Sequence, residues 1–386
     1  MEARCNAGLR PFWEYHFLNT LDLLDRLVAF STVSADSNLP LIDFVQTYLR
    51  DRGFECRLVA DQTGKKANLF ASIGPRRDDG IVLSGHTDVV PVAMQAWTSD
   101  PFRLTRRGSR LHGRGSTDMK GFLASALSAA DRIDGKLLKR PLNFAFSHDE
   151  EIGCVGVRSL IDVLAKEQFK ASLCIVGEPT SMSIALGHKG KLAAQARFSG
   201  EAGHSSLAPR FVNAIHLACD FVGVLRRVQD EIASVGFRDA DYDIPYTTVH
   251  AGKIAGGEVL NIVAERASVD FEIRHLAEDD VEDILGRIRA SVGSLTEIEV
   301  CNAYPGLATS AASAAAAFAG RLLGKAPLTK VSFGAEAGLF ASRLGLDTVV
   351  IGPGNMDQGH QPDEYIEEAE LQRCDAMMDR LIGELC

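Results

Sequence analysis

Ile81-Val82-Leu83-Ser84-Gly85-His86-Thr87-Asp88-Val89-Val90-Pro91 is a short apolar run that ends in a histidine and an aspartate. A run of this length closed by a turn reads as a buried strand. In an open α/β sheet, chemistry collects just beyond the carboxyl ends of the strands. Outward from this stretch the chain alternates. Strands are expected at 54–60, 68–73, 142–147 and 173–176, and helices over 16–30, 40–52, 119–133 and 155–165. The alternation predicts an α/β fold: a catalytic domain with a mixed, mostly parallel sheet and helices on both faces.

After Pro179 the texture changes. Strand-like runs at 184–187 and 192–199 precede a long amphipathic helix over 211–233, then strands at 247–251 and 267–274 and a helix over 279–293. This ββαββα order predicts an inserted α+β lid domain with an antiparallel sheet. The α/β texture resumes with a strand at 298–301, a helix over 309–323, a strand at 348–351 and a last helix over 367–385. The expected domains are therefore 1–182 and 294–386, two parts of one domain, with 183–293 inserted between them. The first fifteen or so residues read as a loose extension.

The bulk numbers agree. A chain of 386 residues exceeds one ordinary domain, and 46% hydrophobic with 24% charged residues matches a globular protein. The balance of 41 basic and 51 acidic residues disfavours nucleic-acid binding, and no basic run argues otherwise. Eight dispersed cysteines without a CxxC read as reduced thiols. Neither a secretory signal nor a bilayer-length apolar stretch is read, so a cytoplasmic protein without a membrane partner is expected.

Seven positions carry candidate chemistry: His86, Asp88, Asp118 in Gly113-Arg114-Gly115-Ser116-Thr117-Asp118-Met119-Lys120-Gly121, the pair Glu150 and Glu151, Glu178 in Gly177-Glu178-Pro179-Thr180, and His360 in the Gly/Pro-rich loop Gly352 to Pro362. Each alone has an ordinary reading. Asp118 could cap a helix, the glutamate pair could be a solvated helix start, and a loop histidine is usually surface. Together, so many buried acids require cations, because unpaired buried carboxylates are heavily penalised. Two divalent metals are the simplest resolution. His86, Asp118 and Glu178 would serve one ion, and Glu151, Asp118 and His360 the other. A bridging Asp118 would keep the ions about 3.5–4 Å apart. Asp88 is placed to orient His86, and Glu150 to act as general base. Nitrogen and oxygen ligands without thiolates suit zinc, with cobalt or manganese as substitutes.

The combination of Gly-His-Thr-Asp-Val-Val-Pro, Asp-Met-Lys-Gly, Asp149-Glu150-Glu151, Gly-Glu-Pro-Thr and the late histidine resembles the M20 family of dinuclear-zinc peptidases and amidohydrolases. The likeness covers about 18 to 385. His112, His148 and Ala264 depart from the family pattern without touching a proposed ligand. The resemblance implies the same ligand set and Glu150 as base. It further implies that His204 polarises the scissile carbonyl, that Asn261 and Arg274 hold a substrate carboxylate, and that the lid forms a homodimer. Glu336, beside glycines in Phe333-Gly334-Ala335-Glu336-Ala337-Gly338, is a candidate reader of a cationic side chain. The implied reaction is hydrolysis of a small N-acyl amino acid, N2-acetyl-L-ornithine first. N-succinyl-diaminopimelate or a broad N-acyl amino acid range is the alternative, and a noncatalytic binding protein a remote one.

Overall fold

The computed structural model describes residues 18–386, so the expected N-terminal extension falls almost wholly outside the described residues. The first elements are α1 (Thr20–Val28), α2 (Leu39–Arg50), β1 (Glu55–Ala60), β2 (Ala67–Ile73), β3 (Ile81–His86), β4 (Thr105–Arg107), β5 (Arg110–His112), α3 (Gly121–Ala130) and β6 (Leu142–Ser147). Next come α4 (Val157–Lys166), β7 (Leu173–Val176), β8 (Ile184–His188), β9 (Gly190–Ser199), α5 (Ala214–Val235), β10 (Thr248–Gly256), β11 (Arg266–His275), α6 (Val281–Ala290) and β12 (Thr296–Tyr304). The chain closes with β13 (Leu307–Ala308), α7 (Ala314–Leu323), β14 (Leu328–Val331), α8 (Ala337–Leu344), β15 (Asp347–Val350), β16 (Tyr365–Glu367) and α9 (Glu368–Leu385).

Two compact units emerge. The first comprises residues up to His148 with Gly177–Met182 and Gly352–Cys386; the second comprises Asp149–Val176 and Ser183–Ile351. In the first unit the strands run in the order β1-β2-β6-β3, with β3 parallel to β6 and the other pairs antiparallel. Both β3 and β6 are buried along their whole length, as continuous apolar runs in a covered sheet should be. Helix α3 is buried at all ten positions and packs against α1 and α9, which explains its composition of alanine, leucine and serine. Asn19 starts α1 by accepting from the N–H groups of Leu21 and Asp22, while Asp22 reaches back to the Asn19 N–H in a capping box. A small sheet β16-β5-β4 completes this unit.

In the second unit β7 and β15 run parallel, β15 meets β8 antiparallel, and β8 also pairs with β13 and β14. A separate antiparallel sheet, in the order β10-β11-β9-β12, is backed by α5 and α6. Its strands alternate buried and exposed residues, most plainly in β9 and β11, the mark of a sheet with one covered face. The rings of Phe198 and Phe271 each lie 5.4 Å from that of Phe221 on α5 and centre its core.

The α/β class with a separate antiparallel α+β layer is thus as expected, but one strand changes place. The run at 298–301, expected to reopen the α/β region, is β12 and pairs with β9 in the antiparallel sheet. A short apolar run shows that a strand exists but not which neighbour it pairs with. The chain also passes between the compact units four times, at 148/149, 176/177, 182/183 and 351/352, where the sequence texture suggested two passages.

Candidate metal centre

Two segments of the first unit bring Asp118 and Glu178 to His86, and a third brings His360 to Asp118. The imidazole ends β3 and is wholly buried. Its Nδ1 lies 2.8 Å from the main-chain carbonyl of Asp88 and 3.6 Å from the Asp88 carboxylate, so the nearer partner is the carbonyl. A carbonyl only accepts, so Nδ1 carries the proton. The other nitrogen, Nε2, then turns toward Asp118 Oδ1 at 2.9 Å and Glu178 Oε1 at 3.8 Å. A lone pair facing two carboxylate oxygens is tenable only with positive charge among them, a proton or a metal cation. Burial opposes a charged His86. The hydrogen bond to Asp118 and the charges of Glu178, Asp118 and Asp88 outweigh it, and the imidazole sits well above its ordinary range.

Asp118 faces two histidines. Its second oxygen, Oδ2, lies 3.2 Å from His360 Nε2. Burial would raise its carboxyl, yet the hydrogen bonds with His360 and His86 prevail and hold it far below the usual range. Helix α3 was expected to begin at 119. Instead residues 116–120 form a tight irregular turn in which Asp118 has extended φ and ψ of −119° and 93°, and α3 begins at Gly121. This turn, rather than a helix cap, presents the carboxylate. The Asp118–Met119 peptide is cis.

Glu178 is brought in by main-chain pairing. Gly177 N–H donates to the Ser84 carbonyl on β3, and Thr180 and Met182 N–H both donate to the Gly352 carbonyl. Here two backbones touch: a Cβ on Gly352 would lie 2.0 Å from the Gly177 carbonyl oxygen, so only glycine fits. His360 lies on the same loop, its side chain 43% exposed.

Other buried groups surround these four and escaped the sequence reading. Glu364 accepts the N–H groups of Thr117 and Asp118 and pairs with Arg114. Lys120 donates to the Phe30 carbonyl. Burial pushes its ammonium down to about 7, against the upward pull of Glu364 and Asp88. Their only trace in sequence was proximity to the motifs.

Glu150 and Glu151 open the second unit. The Glu150 carbonyl accepts from Gly153 and Cys154 N–H, and its carboxylate Oε1 accepts from the Cys154 thiol at 3.1 Å. Asn302 Nδ2 on β12 donates to the Gly153 carbonyl at 2.9 Å and so pins this loop. Gly153 has φ +110° and no room for a side chain, since a Cβ would sit 1.7 Å from Asn302 Nδ2. In the same unit Arg274 forks onto Glu272 at 3.0 and 3.3 Å, and its charge is further supported by Glu150. Exposed His204 accepts the Ser206 N–H at Nδ1, which places its proton on Nε2. Asn261 is exposed and its carbonyl accepts from Ser205 N–H. Glu336 is buried at the start of α8.

Comparison with known proteins identifies the family. The pattern that defines peptidase family M20/M25/M40 matches residues 82–384. The acetylornithine deacetylase of Klebsiella pneumoniae (strain 342) is 33% identical over 382 residues, 95% of this chain and 97% of its own. That of Photorhabdus laumondii is 32% identical over 396 residues, 99% of each. Among solved structures, an M20 family metallo-carboxypeptidase from Sulfolobus solfataricus superposes with a TM-score of 0.79 at 20% identity, covering 95% of this chain and 99% of that one.

Proposed function

This chain belongs to peptidase family M20/M25/M40, and from that premise we propose that it hydrolyses the amide of N2-acetyl-L-ornithine to acetate and L-ornithine. Membership makes it a metallohydrolase; the substrate is our inference. It is carried by likeness to acetylornithine deacetylases at 32–33% identity over nearly the whole chain. The chemistry rests on the single observation that Asp118 lies between His86 and His360, one carboxylate oxygen toward each.

In this reading His86, Asp118 and Glu178 would hold one divalent cation, and Asp118, His360 and Glu151 would hold a second. Zinc suits the ligands, with cobalt or manganese as substitutes. Bound cations supply Lewis-acid polarisation of the acyl oxygen and a water acidic enough to be deprotonated near neutrality. Glu150 takes the water's proton on its carboxylate and returns it to the nitrogen of the leaving amine. His204, protonated on Nε2, donates to the developing oxyanion. Asp88 fixes the His86 tautomer. Arg274, whose Nε and Nη2 fork onto Glu272, supplies the positive charge that an α-carboxylate needs through its remaining arm, and Asn261 shares that role. Buried Glu336 would meet the cationic end of ornithine. A homodimer through the antiparallel domain and a cytoplasmic setting belong to the same reading. No helix among the described residues is long and apolar enough to cross a membrane.

Initial rates on zinc- or cobalt-loaded protein decide the matter, with N-acetyl-L-ornithine compared against N-succinyl-diaminopimelate and N-acetyl-methionine. Acetylornithine should lead in kcat/KM, chelation should abolish turnover, and restoring the metal should recover it. A different leading substrate would reassign the specificity and leave the metal reading intact. An unchanged preference for acetylornithine over N-acetyl-methionine in Glu336→Gln would remove the role given to Glu336.

A further inference from the structure

We propose that Gln95, Arg114 and Glu364 form a positioning bracket that sets the separation of Asp118 and His360. The bracket thereby tunes the affinity of the ion those two residues share. The inference rests on the metal reading above and concerns residues to which that reading gives no role.

The bracket is a closed circuit within the first unit. One oxygen of Glu364, Oε1, accepts the Thr117 and Asp118 N–H groups at 3.0 and 3.2 Å. The other, Oε2, accepts from Arg114 at 2.6 Å. Both side chains are only 1% exposed. The second guanidinium arm of Arg114 donates to Gln95 Oε1, and the Arg114 Cζ lies 5.0 Å from the centre of the Trp97 ring. Trp97 Nε1 donates to the same Gln95 oxygen at 3.1 Å. Two donors on one oxygen fix the orientation of the Gln95 amide. Its nitrogen must then face the other way, and there it donates to the His360 carbonyl at 2.9 Å. The circuit closes through the chain, because Glu364 follows His360 by four residues and its own carbonyl accepts from Gly113 N–H at 2.9 Å.

Each oxygen of Glu364 is engaged by a donor of the protein. It holds the main chain of one ligand, while Gln95 holds the main chain of the other. His360 needs such a hold: it sits in a Gly/Pro-rich loop, is partly exposed and has a φ of +60°. A metal ligand must be kept within about 0.5 Å of its working position by the groups behind it. Loss of such groups typically lowers metal affinity about 10–100-fold.

Gln95→Glu isolates the effect, because it keeps an acceptor for Arg114 and Trp97 and removes the donor to His360. Zinc and cobalt binding to the metal-free full-length protein would be measured by calorimetry and chelator competition, beside the melting temperature of the metal-free form. Gln95→Ala serves as a second variant. The expected result is that one of two binding steps weakens about 10–100-fold while the other step and the metal-free melting temperature stay at wild-type values. Two wild-type binding steps in both variants would overturn the bracket and leave the functional reading standing. A lower metal-free melting temperature with unchanged affinities would also overturn it, since that is a purely structural role. Failure of the wild-type protein itself to bind metal would overturn the functional reading, and the bracket with it.

Discussion

At Glu150 the proposed base has a close neighbour, the Cys154 thiol, which donates to its carboxylate. Only a deprotonated carboxylate can take a proton from water. Glu150→Gln keeps the side chain's volume and removes that capacity. We expect kcat to fall by about 10²–10⁴ with metal content unchanged by elemental analysis; near-normal turnover would move the base elsewhere. His86 makes a related point about tautomers. Sequence spacing pointed to Asp88 as its orienting residue, and the closer contact is made by the carbonyl of that residue rather than by its carboxylate. The Asp88 carboxylate instead accepts from Ser34. A backbone contact of this kind has no side-chain signature to read.

Among the elements, α5 and the antiparallel sheet show how much stability one aromatic cluster carries. Phe221 is buried and contacts the rings of Phe198 and Phe271. Phe221→Ala should cost about 3–5 kcal/mol in urea unfolding, and a loss below about 1 kcal/mol would mean that this core can collapse around the gap. The elements most legible beforehand were those with strong periodicity or long apolar runs. Helix α5 and the buried strands β3, β6 and β7 lie where the pattern placed them. Strands β4, β5 and β16, three residues each, were missed because pairs so short owe their form to partners distant in sequence. The turn at 116–120 was misjudged for a related reason. Asp118 before an alanine- and leucine-rich run has the local signature of a helix cap, whereas in the fold its carboxylate faces two histidines.

Across the whole molecule, buried ionisable groups couple folding to pH. His188 in the second unit is fully committed as a neutral ring: Nε2 accepts the Gly338 N–H at 3.0 Å and Nδ1 donates to the Lys189 carbonyl at 3.0 Å. Burial, aided by the charge of His275 and opposed by the Lys189 hydrogen bond, pushes its imidazole down to about 4 from an ordinary 6.5. Between these values the unfolded chain binds the extra proton, so the contribution of His188 is fully present above about 6.5 and is lost as pH falls toward 4. The size of the shift corresponds to a loss on the order of 3 kcal/mol. Urea midpoints at pH 7.5 and 4.5 should fall more steeply for the wild type than for His188→Gln, which retains an acceptor and does not titrate. Equal slopes would show that the ring is not held neutral.

Residue types and local pattern alone determined that the chain is an α/β protein with a separate antiparallel layer, and that its histidines and acids collect at strand ends and loops. The fold class is set by hydrophobic periodicity, which acts on neighbours along the chain, and the need for cations by the residue types themselves. Only the tertiary structure decided which acid faces which imidazole, which strand β12 pairs with, and that Gln95, Arg114 and Glu364 hold the main chain at Asp118 and His360. Those choices depend on hydrogen bonds and close approaches between distant segments, such as Gln95 and His360, which are 265 residues apart and beyond the reach of any local pattern. Contacts of that range exist only once the chain has folded.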